Sequence, residues 1–210
     1  MRNLLWALDL KSSPMPRIIV IVLISAGVYA NTLVNDFVYD DRSQVLENRF
    51  ILDFRYIPDI FTKSAWSFQS APVVSNYYRP MMNVIYMPSY YIFGLTSWGF
   101  HLGNILFHAG NSILVLLLAR RLFADKPARL QAEKLTSEQV CRPDAVLPLT
   151  STFLAPPFLA ALLFAVHPIH TEAVAWVAAV PELSFTLFYL FIHRIRCCIQ
   201  SQASLVSKIM

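Results

Sequence analysis

Apolar runs separated by polar stretches dominate the pattern of this chain. Apolar side chains predominate in residues 18–34, 100–122, 147–166 and 173–192. A helix needs about 20 consecutive, mostly apolar residues to cross the hydrocarbon core of a bilayer. The pattern therefore predicts an all-α, polytopic integral membrane protein in which these runs are the spanning helices. A cleaved signal peptide is the alternative for the first run, but Tyr29-Ala30-Asn31 is a poor small-residue cleavage site.

Basic residues beside the apolar runs predict how the spanning helices are oriented. They are Arg2, Lys11, Arg17, Arg120, Arg121, Lys126, Arg129, Lys134, Arg194 and Arg196. Basic residues accumulate on the cytoplasmic side of membrane proteins. We therefore expect residues 1–17, the connector 123–146 and the tail 193–210 in the cytoplasm, with no long helix continuing through the tail. The segments 35–99 and 167–172 then lie on the outer side.

The outer segment 35–99 is predicted to lie along the membrane surface. Apolar side chains recur there at helical spacing, at Leu46, Phe50, Phe54, Ile57 and Phe61. This pattern predicts one or two amphipathic helices in the membrane interface, divided near Pro58. Residues 81–98 are apolar but contain Asn83, Pro88 and Gly94. An even number of crossings must separate the amino terminus from the basic connector, so 81–98 is predicted to be a re-entrant or interfacial helix.

The composition argues against a soluble globular protein and against a nucleic-acid partner. The chain is 56% hydrophobic and 14% charged, whereas charged residues make up about 25% of a typical soluble domain. Its net charge of +4 comes from basic residues placed beside apolar runs, where membrane orientation explains them. Cys141, Cys197 and Cys198 have neither the even number of a disulfide framework nor the spacing of a metal site.

Two polar clusters on the predicted outer side are candidates for chemistry. The first ends in Asp40 and Asp41, in the sequence Phe37-Val38-Tyr39-Asp40-Asp41 just after the first span. Adjacent carboxylates at a membrane exit are costly unless they contact water, a cation or a substrate. The third span ends on the same side, at His167-Pro168-Ile169-His170-Thr171-Glu172. The topology therefore predicts that the two clusters converge.

The cluster at residues 167–172 leaves several roles open. Its spacing does not match the helix-borne zinc pattern, in which two histidines lie four residues apart. Pro168 also prevents a regular helix across the histidine pair. The alternatives are orientation of an anionic phosphate and structural hydrogen bonds at a turn between helices. Glu182, which follows Pro181, is expected to be a buried carboxylate with either a structural role or a role in the site.

A polar stripe runs along the second spanning helix. His101, Asn104, His108, Asn111 and Ser112 fall on one side of this helix at helical spacing. Such a stripe faces the interior of a helix bundle or a water-filled cavity. Hydrogen bonds between helices are the structural explanation, and they are favoured for Asn111 and Ser112. For His101 and Asn104, near the outer end, a structural role and a role in a site both remain open.

Four motifs occur in an order that resembles a known family. They are Phe37-Val38-Tyr39-Asp40-Asp41, Tyr78-Arg79-Pro80, Gly99-Phe100-His101 with Asn104 and His108, and His167-Pro168-Ile169-His170-Thr171-Glu172 followed by Ala173-Val174-Ala175-Trp176. Together they resemble the N-terminal membrane part of the transmembrane and tetratricopeptide-repeat O-mannosyltransferases and their prokaryotic relatives. That family belongs to the GT-C glycosyltransferases, which use lipid-phosphate sugars as donors. The resemblance covers Asn31 to Phe191.

The resemblance implies an inverting transferase that acts outside the cytoplasm. Its donor would be a polyprenyl- or dolichyl-phosphate sugar, with mannose expected, and its acceptor a Ser or Thr hydroxyl of a protein. Asp40 or Asp41 would be the general base, and Arg79 with Tyr78 would hold the donor phosphate. The remaining candidates for phosphate or sugar contacts are His101, Asn104, His167, His170 and Glu172. No metal is expected, although a divalent cation beside Asp40 and Asp41 stays open as an alternative.

The resemblance also implies a compartment and leaves alternative functions. The site would face the lumen of the endoplasmic reticulum in a eukaryote, or the outside of the plasma membrane in a prokaryote. Two features depart from the family: Val177-Ala178-Ala179-Val180-Pro181 replaces a stretch that usually has a basic residue, and the chain ends at Met210. The chain is therefore expected to be a fragment that lacks later helices and repeats. The alternatives are a catalytically inactive truncated paralogue or assembly partner, and a small transporter whose path the polar stripe lines.

Overall fold

The computed structural model describes residues 14–69, 76–134 and 155–209, and these residues form helices and no β-strand. The α-helices are α1 (Met15–Tyr29), α2 (Ile57–Thr62), α3 (Pro80–Phe93), α4 (Ser97–Lys134), α5 (Pro156–Val166), α6 (Thr171–Ala175) and α7 (Val180–Ile209). The predicted all-α class is therefore confirmed for this part of the chain. Predictions for residues 1–13 and 135–154, which include Cys141 and much of the connector, lie outside the described residues.

Two of the described helices are long and apolar enough to cross a membrane. They are Met15–Val34, which is α1 with a 3₁₀ extension, and Ser97–Phe123 of α4. Both coincide with predicted spans. A third candidate exists only if α5 and the segment Pro168–Ala175 are taken together, because a bend of 43° separates them. The bend follows from Pro168, whose ring cannot continue the helix of α5.

The predicted fourth span, 173–192, has different bounds in the structure. Its first part is divided among α6, a 3₁₀ turn at Val177–Ala179 and the start of α7. Pro181 lies in the first turn of α7, where a missing N–H leaves no intrahelical bond unmade. α7 is not among the candidate spans. It continues to Ile209, so the expectation that the tail lacks a long helix is wrong.

α4 is the central helix, in contact with α1, α3, α5 and α7. α1 and α5 both run antiparallel to it, because residues late in each of these helices contact the early part of α4 and earlier residues contact its later part. Tyr29 and Ala165 both contact His108, whereas Ile21 and Phe158 belong to the same buried cluster as Leu116. These packed side chains form the interior of the bundle.

α7 runs parallel to α4. Asn111 of α4 bonds to the Leu183 carbonyl near the start of α7, and Arg121 bonds to Cys198 far along it. The directions of α1, α4, α5 and α7 therefore alternate in chain order. This alternation brings the end of α1, the start of α4, the end of α5 and the start of α7 to one end of the bundle, which is where both candidate clusters lie.

The first part of the outer segment consists of short turns instead of one amphipathic helix. A π-helical turn at Arg42–Leu46 is followed by 3₁₀ turns at Arg49–Ile51 and Phe54–Tyr56, and then by α2. The side chains of Asn48 and Asp53 accept hydrogen bonds from backbone N–H groups two residues later. Such caps begin a new helical turn at each site and so change the direction of the chain.

The buried residues of this segment differ from those that the spacing selected. Of the five predicted residues only Phe50 is buried, and the exposed ones are Leu46, Phe54, Ile57 and Phe61. Exposed apolar side chains are what a face in the membrane interface presents, so the predicted interfacial face stays a prediction. The side chains that form a core with Met82, Tyr86 and Met87 of α3 are Val45, Phe50, Ile51, Ile60 and Phe68. A buried hydrogen bond of 2.7 Å from Asn48 to Asn83 adds a polar tie between the segment and α3.

α3 is short and is joined to α4 by a sharp reversal. Its 14 residues rise about 21 Å, which is less than the roughly 30 Å of a hydrocarbon core. The helix ends at Gly94, whose φ of 66° and ψ of −155° lie in a region that is essentially restricted to glycine. A Cβ atom on Gly99 would lie 2.5 Å from the Phe93 Cβ, so the reversal brings α3 against the start of α4.

Candidate functional site

An open cleft of about 970 Å³, here called the Asp40 cleft, lies where the two predicted clusters meet. Its lining residues are Asn35, Val38, Tyr39, Asp40, Pro168, Ile169, Thr171, Glu172, Ala175 and Trp176. The first four follow α1, and the others belong to the turn after α5 and to α6 with the residue that follows it. The structure therefore contains the juxtaposition that the topology predicts.

The chain enters the cleft through a strained residue. After the 3₁₀ turn Ala30–Val34, the backbone is extended at Asn35. Tyr39 then has a φ of 48°, in the left-handed region, and a helical turn begins at Asp40. Tyrosine rarely adopts this conformation because its Cβ crowds the backbone. The Tyr39 side chain is 88% exposed and the Asp40 side chain is exposed, so both are accessible from the cleft.

Asp41 has the opposite environment to its neighbour. It is 0% exposed, its Oδ1 accepts a hydrogen bond of 2.7 Å from the Ala178 N–H, and its Oδ2 accepts one of 3.2 Å from the Val38 N–H. Burial raises the pKa of the Asp41 carboxyl, and the Asp40 charge adds to the increase, while hydrogen bonds from backbone N–H groups oppose it. Asp41 therefore ties the first outer cluster to the turn before α7.

Tyr86 of α3 supports the same turn from the other side. Its buried hydroxyl donates a hydrogen bond of 3.0 Å to the Val177 carbonyl. The next residue, Ala178, provides the N–H that donates to Asp41. Burial raises the pKa of Tyr86, with Asp41 and Glu182 adding to the increase and Arg79 opposing it. Sequence reasoning missed Tyr86. The available signal was a polar group three residues after Asn83, on the same face of an interrupted apolar helix.

Arg79 and Tyr78 lie in a second cleft of about 300 Å³, here called the Arg79 cleft. The Arg79 guanidinium lies 4.4 Å from the centre of the Tyr77 ring and donates a 2.7 Å hydrogen bond to the Tyr77 hydroxyl. Its ion pair with Glu182 is long, at 3.7 Å. The Glu182 side chain is 55% exposed, so the expectation of a buried carboxylate is wrong. Tyr78 donates a hydrogen bond to the Phe61 carbonyl.

Most of the polar stripe on α4 is occupied by hydrogen bonds to backbone carbonyls. Asn104 donates to the Val174 and Trp176 carbonyls at 3.3 and 2.8 Å, and Asn111 donates to Leu183 at 3.0 Å. Ser112 bonds to the carbonyl of His108, and His108 bonds to Ala165. The bonds of Asn104, His108 and Asn111 hold α5, the turns after it and the start of α7 against α4, as expected for polar glue between helices. The Ser112 bond lies within α4 and joins no second helix. The substrate contact predicted for Asn104 stays untested.

The three remaining histidines named as candidates do not line the Asp40 cleft. His101 is fully buried, neither ring nitrogen has a hydrogen bond within the described residues, and the backbone of Asn35 lies near it. His167 is exposed, and its Nδ1 accepts from the Ile169 N–H as a cap. His170 packs against Phe164, with ring centres 4.4 Å apart, and is half-buried. Only Glu172 of the second cluster's predicted contacts reaches the cleft.

Metal ligation has no ready-made geometry among the described residues. No group of three or more His, Cys, Asp or Glu side chains is close enough together to hold an ion in residues 14–69, 76–134 and 155–209. Both Asp41 oxygens already accept backbone hydrogen bonds. A cation beside Asp40 and Asp41 stays an untested alternative.

Comparison with known proteins shows which sequences this chain is similar to. The chain is 32% identical over 171 residues to protein O-mannosyl-transferase TMTC3 of Mus musculus, covering 81% of this chain and 15% of that protein. It is 31% identical over 166 residues to TMTC4 of Homo sapiens, covering 77% and 20%. It is also 31% identical over 170 residues to Tmtc1 of Drosophila melanogaster, covering 79% and 16%. The chain is related to the TMTC protein O-mannosyl-transferases.

The TMTC relationship confirms the resemblance inferred from the motifs. The chain spans 15% to 20% of the length of these three TMTC proteins, and the activity in their names belongs to the whole proteins. No family model matches the chain. No solved structure matches it.

Proposed function

We propose that this chain carries the acceptor-activating part of a membrane glycosyltransferase. The reaction transfers mannose from a polyprenyl- or dolichyl-phosphate donor to Ser or Thr hydroxyls of a protein. The names of the TMTC relatives support the reaction class. The Asp40 cleft supports the location of the active site, because the exposed Asp40 carboxylate lies there beside the turn that follows α5.

Asp40 is the general base in this proposal. The acceptor hydroxyl attacks C1 of the donor sugar, Asp40 takes the hydroxyl proton, and the lipid phosphate leaves with the electrons of the C1–O bond. A general base must lie within hydrogen-bond reach of the proton that it removes, and it contributes roughly 10²- to 10⁴-fold to the rate. The exposure of Asp40 in the cleft is the single observation that carries this assignment.

Asp41 positions Asp40 and does not contact the acceptor in this proposal. Its two oxygens accept hydrogen bonds from Ala178 and Val38, and none of its surface is exposed. A carboxylate held in this way fixes the backbone on which Asp40 lies. Geometry of this kind matters because a small displacement of a catalytic group can cost about 100-fold in rate.

The donor phosphate lies in the Arg79 cleft in this proposal. The Asp40 cleft includes Asp40 and Glu172 and no Lys or Arg among its lining residues, so it repels an anion. Arg79 provides a planar guanidinium suited to phosphate oxygens, and its 3.7 Å pair with Glu182 is long enough to be exchanged for a stronger partner. Arg79, Glu182 and Asp41 all act electrostatically on the Tyr86 hydroxyl, which bonds to the Val177 carbonyl.

The proposed compartment rests on the resemblance and on the basic residues beside the apolar runs. With the basic connector in the cytoplasm, both clefts face the lumen of the endoplasmic reticulum in a eukaryote, or the outside of the plasma membrane in a prokaryote. The bilayer supplies the lipid-linked donor, and the acceptor protein enters the Asp40 cleft from the aqueous side.

The test measures transfer of labelled mannose from dolichyl-phosphate mannose to a Ser/Thr-containing peptide, in membranes that contain the full chain. Asp40→Asn is expected to lower transfer at least about 100-fold, since the amide cannot accept the proton. Asp36→Asn, an exposed carboxylate outside the lining of the cleft, is the control and is expected to leave transfer unchanged. No transfer by the parent chain overturns the proposed reaction. Equal transfer by the parent and Asp40→Asn overturns the assignment of the base.

A further inference from the structure

The Asp40 cleft contains an aromatic residue whose conformation and exposure the fold does not require. Tyr39 is held at a φ of 48° and its side chain is 88% exposed. Within the described residues its side chain makes no hydrogen bond or ring contact. Non-glycine residues in this backbone region are strained, and such strain clusters at active sites, ligand clamps and switch regions. Packing cannot explain Tyr39, because its ring has almost no neighbours.

The other groups in the cleft complement an aromatic ring in a specific way. Trp176 is a second aromatic lining residue. The carboxylates of Asp40 and Glu172 line the same space. The cleft therefore combines flat apolar surfaces with carboxylate acceptors, a mixture by which pockets orient small polar ligands.

A hexopyranose ring has the chemistry that matches this set. One face of the ring presents C–H groups, which carry a small positive charge and suit the negative face of an aromatic ring. Its edge presents hydroxyl groups, which donate to carboxylates. The lack of Lys and Arg among the lining residues disfavours the phosphate of a lipid-linked sugar in this cleft but does not disfavour the neutral sugar itself.

We propose that Tyr39 is the platform on which the transferred hexose rests in the Asp40 cleft. Its ring contacts the C–H face of the sugar, and the left-handed backbone at Tyr39 directs the ring over the position that Asp40 serves. This assignment rests on the proposed function, since it identifies the sugar as the one being transferred. It makes Tyr39 a sugar-binding residue and gives it no role in moving the proton.

Binding of methyl α-D-mannopyranoside to the full chain in detergent micelles tests the assignment without requiring turnover. Saturation-transfer NMR measures the dissociation constant, and sorbitol serves as a control ligand with similar hydroxyls but no ring face. Tyr39→Asn removes the ring but tolerates the left-handed backbone, and it is expected to weaken binding roughly two- to tenfold. Tyr39→Phe keeps the ring and is expected to bind as the parent does. Tyr39→Gly replaces Tyr39→Asn if that variant does not fold.

The outcomes separate this inference from the proposed reaction. Unchanged binding of the mannoside by folded Tyr39→Asn, or equal binding of sorbitol and the mannoside by the parent, overturns the platform. A Tyr39-dependent interaction with a Ser/Thr peptide in place of the mannoside also overturns it. Ring-dependent mannoside binding without any mannose transfer supports the platform and removes the proposed reaction. If transfer depends on Asp40 while the mannoside binds equally well without the Tyr39 ring, the proposed reaction is supported and the platform is overturned.

Discussion

At the scale of single residues, Asp40 and Asp41 show how adjacent identical side chains acquire different roles. Both lie in a helical turn, where successive side chains point about 100° apart because 3.6 residues complete a turn. The Asp40 side chain lines the cleft, whereas the Asp41 side chain meets the N–H of Ala178. The sequence identified the pair but could not predict which aspartate is exposed and which is buried, because the hydrogen-bond partner of Asp41 lies 137 positions away.

Removal of the Asp41 carboxylate is expected to destabilise the protein. Asp41→Ala leaves the N–H groups of Val38 and Ala178 without this acceptor. The Ala178 bond is buried, and leaving a buried donor unsatisfied costs about 1–3 kcal/mol, while the part-buried Val38 bond and the lost packing of a fully buried side chain add to this. We expect a loss of about 2–4 kcal/mol, measured by thermal unfolding in detergent. Asp40→Ala removes an exposed side chain and is expected to change stability by less than about 0.5 kcal/mol. Equal unfolding temperatures for the two variants would show that the Asp41 tie is unimportant.

At the scale of elements, the apolar runs predicted the main helices well and the outer segment poorly. The cores of α1 and α4 follow from composition alone, because crossing a bilayer requires a continuous apolar helix. Between α1 and α3, helical spacing selected Leu46 and Phe54, which are exposed. The caps at Asn48 and Asp53 change the direction of the chain, so the period is lost from one short turn to the next. Spacing predicts a face only where one helix continues.

The reversal between α3 and α4 yields a prediction with an internal control. Gly94→Ala forces a Cβ into a backbone conformation with φ 66° and ψ −155°, which costs about 1–3 kcal/mol. Gly27 lies inside α1 with open space where a Cβ would be placed. Gly27→Ala is therefore expected to be neutral or to stabilise by up to about 1 kcal/mol. Unfolding temperatures of the two variants should move apart, and a decrease for Gly27→Ala alone would contradict this account of the reversal.

At the scale of the whole molecule, the alternating directions of four helices bring distant clusters to one end of the bundle. Charge and hydropathy were sufficient to predict that residues after α1 and after α5 meet, because each helix that crosses must return. They could not predict that Arg79 belongs to a separate cleft, or that His170 turns towards Phe164. Those outcomes depend on the packing of α3 and on local turns, which have no periodic signal in the sequence.

The shared face can be tested by labelling single cysteines introduced on each side of the Asp40 cleft. Val38→Cys and Ile169→Cys replace exposed lining residues that belong to the two different clusters. In a background where Cys141, Cys197 and Cys198 are replaced by serine, a membrane-impermeant maleimide should label both variants in vesicles that expose the outer face. A variant that retains only the exposed Cys198 is the control. It should react only after the vesicles are opened, because the helix α7 carries it towards the cytoplasmic side. Labelling of Val38→Cys and Ile169→Cys from opposite faces would separate the acidic pair from the turn after α5, and no lipid-linked sugar could then bridge them.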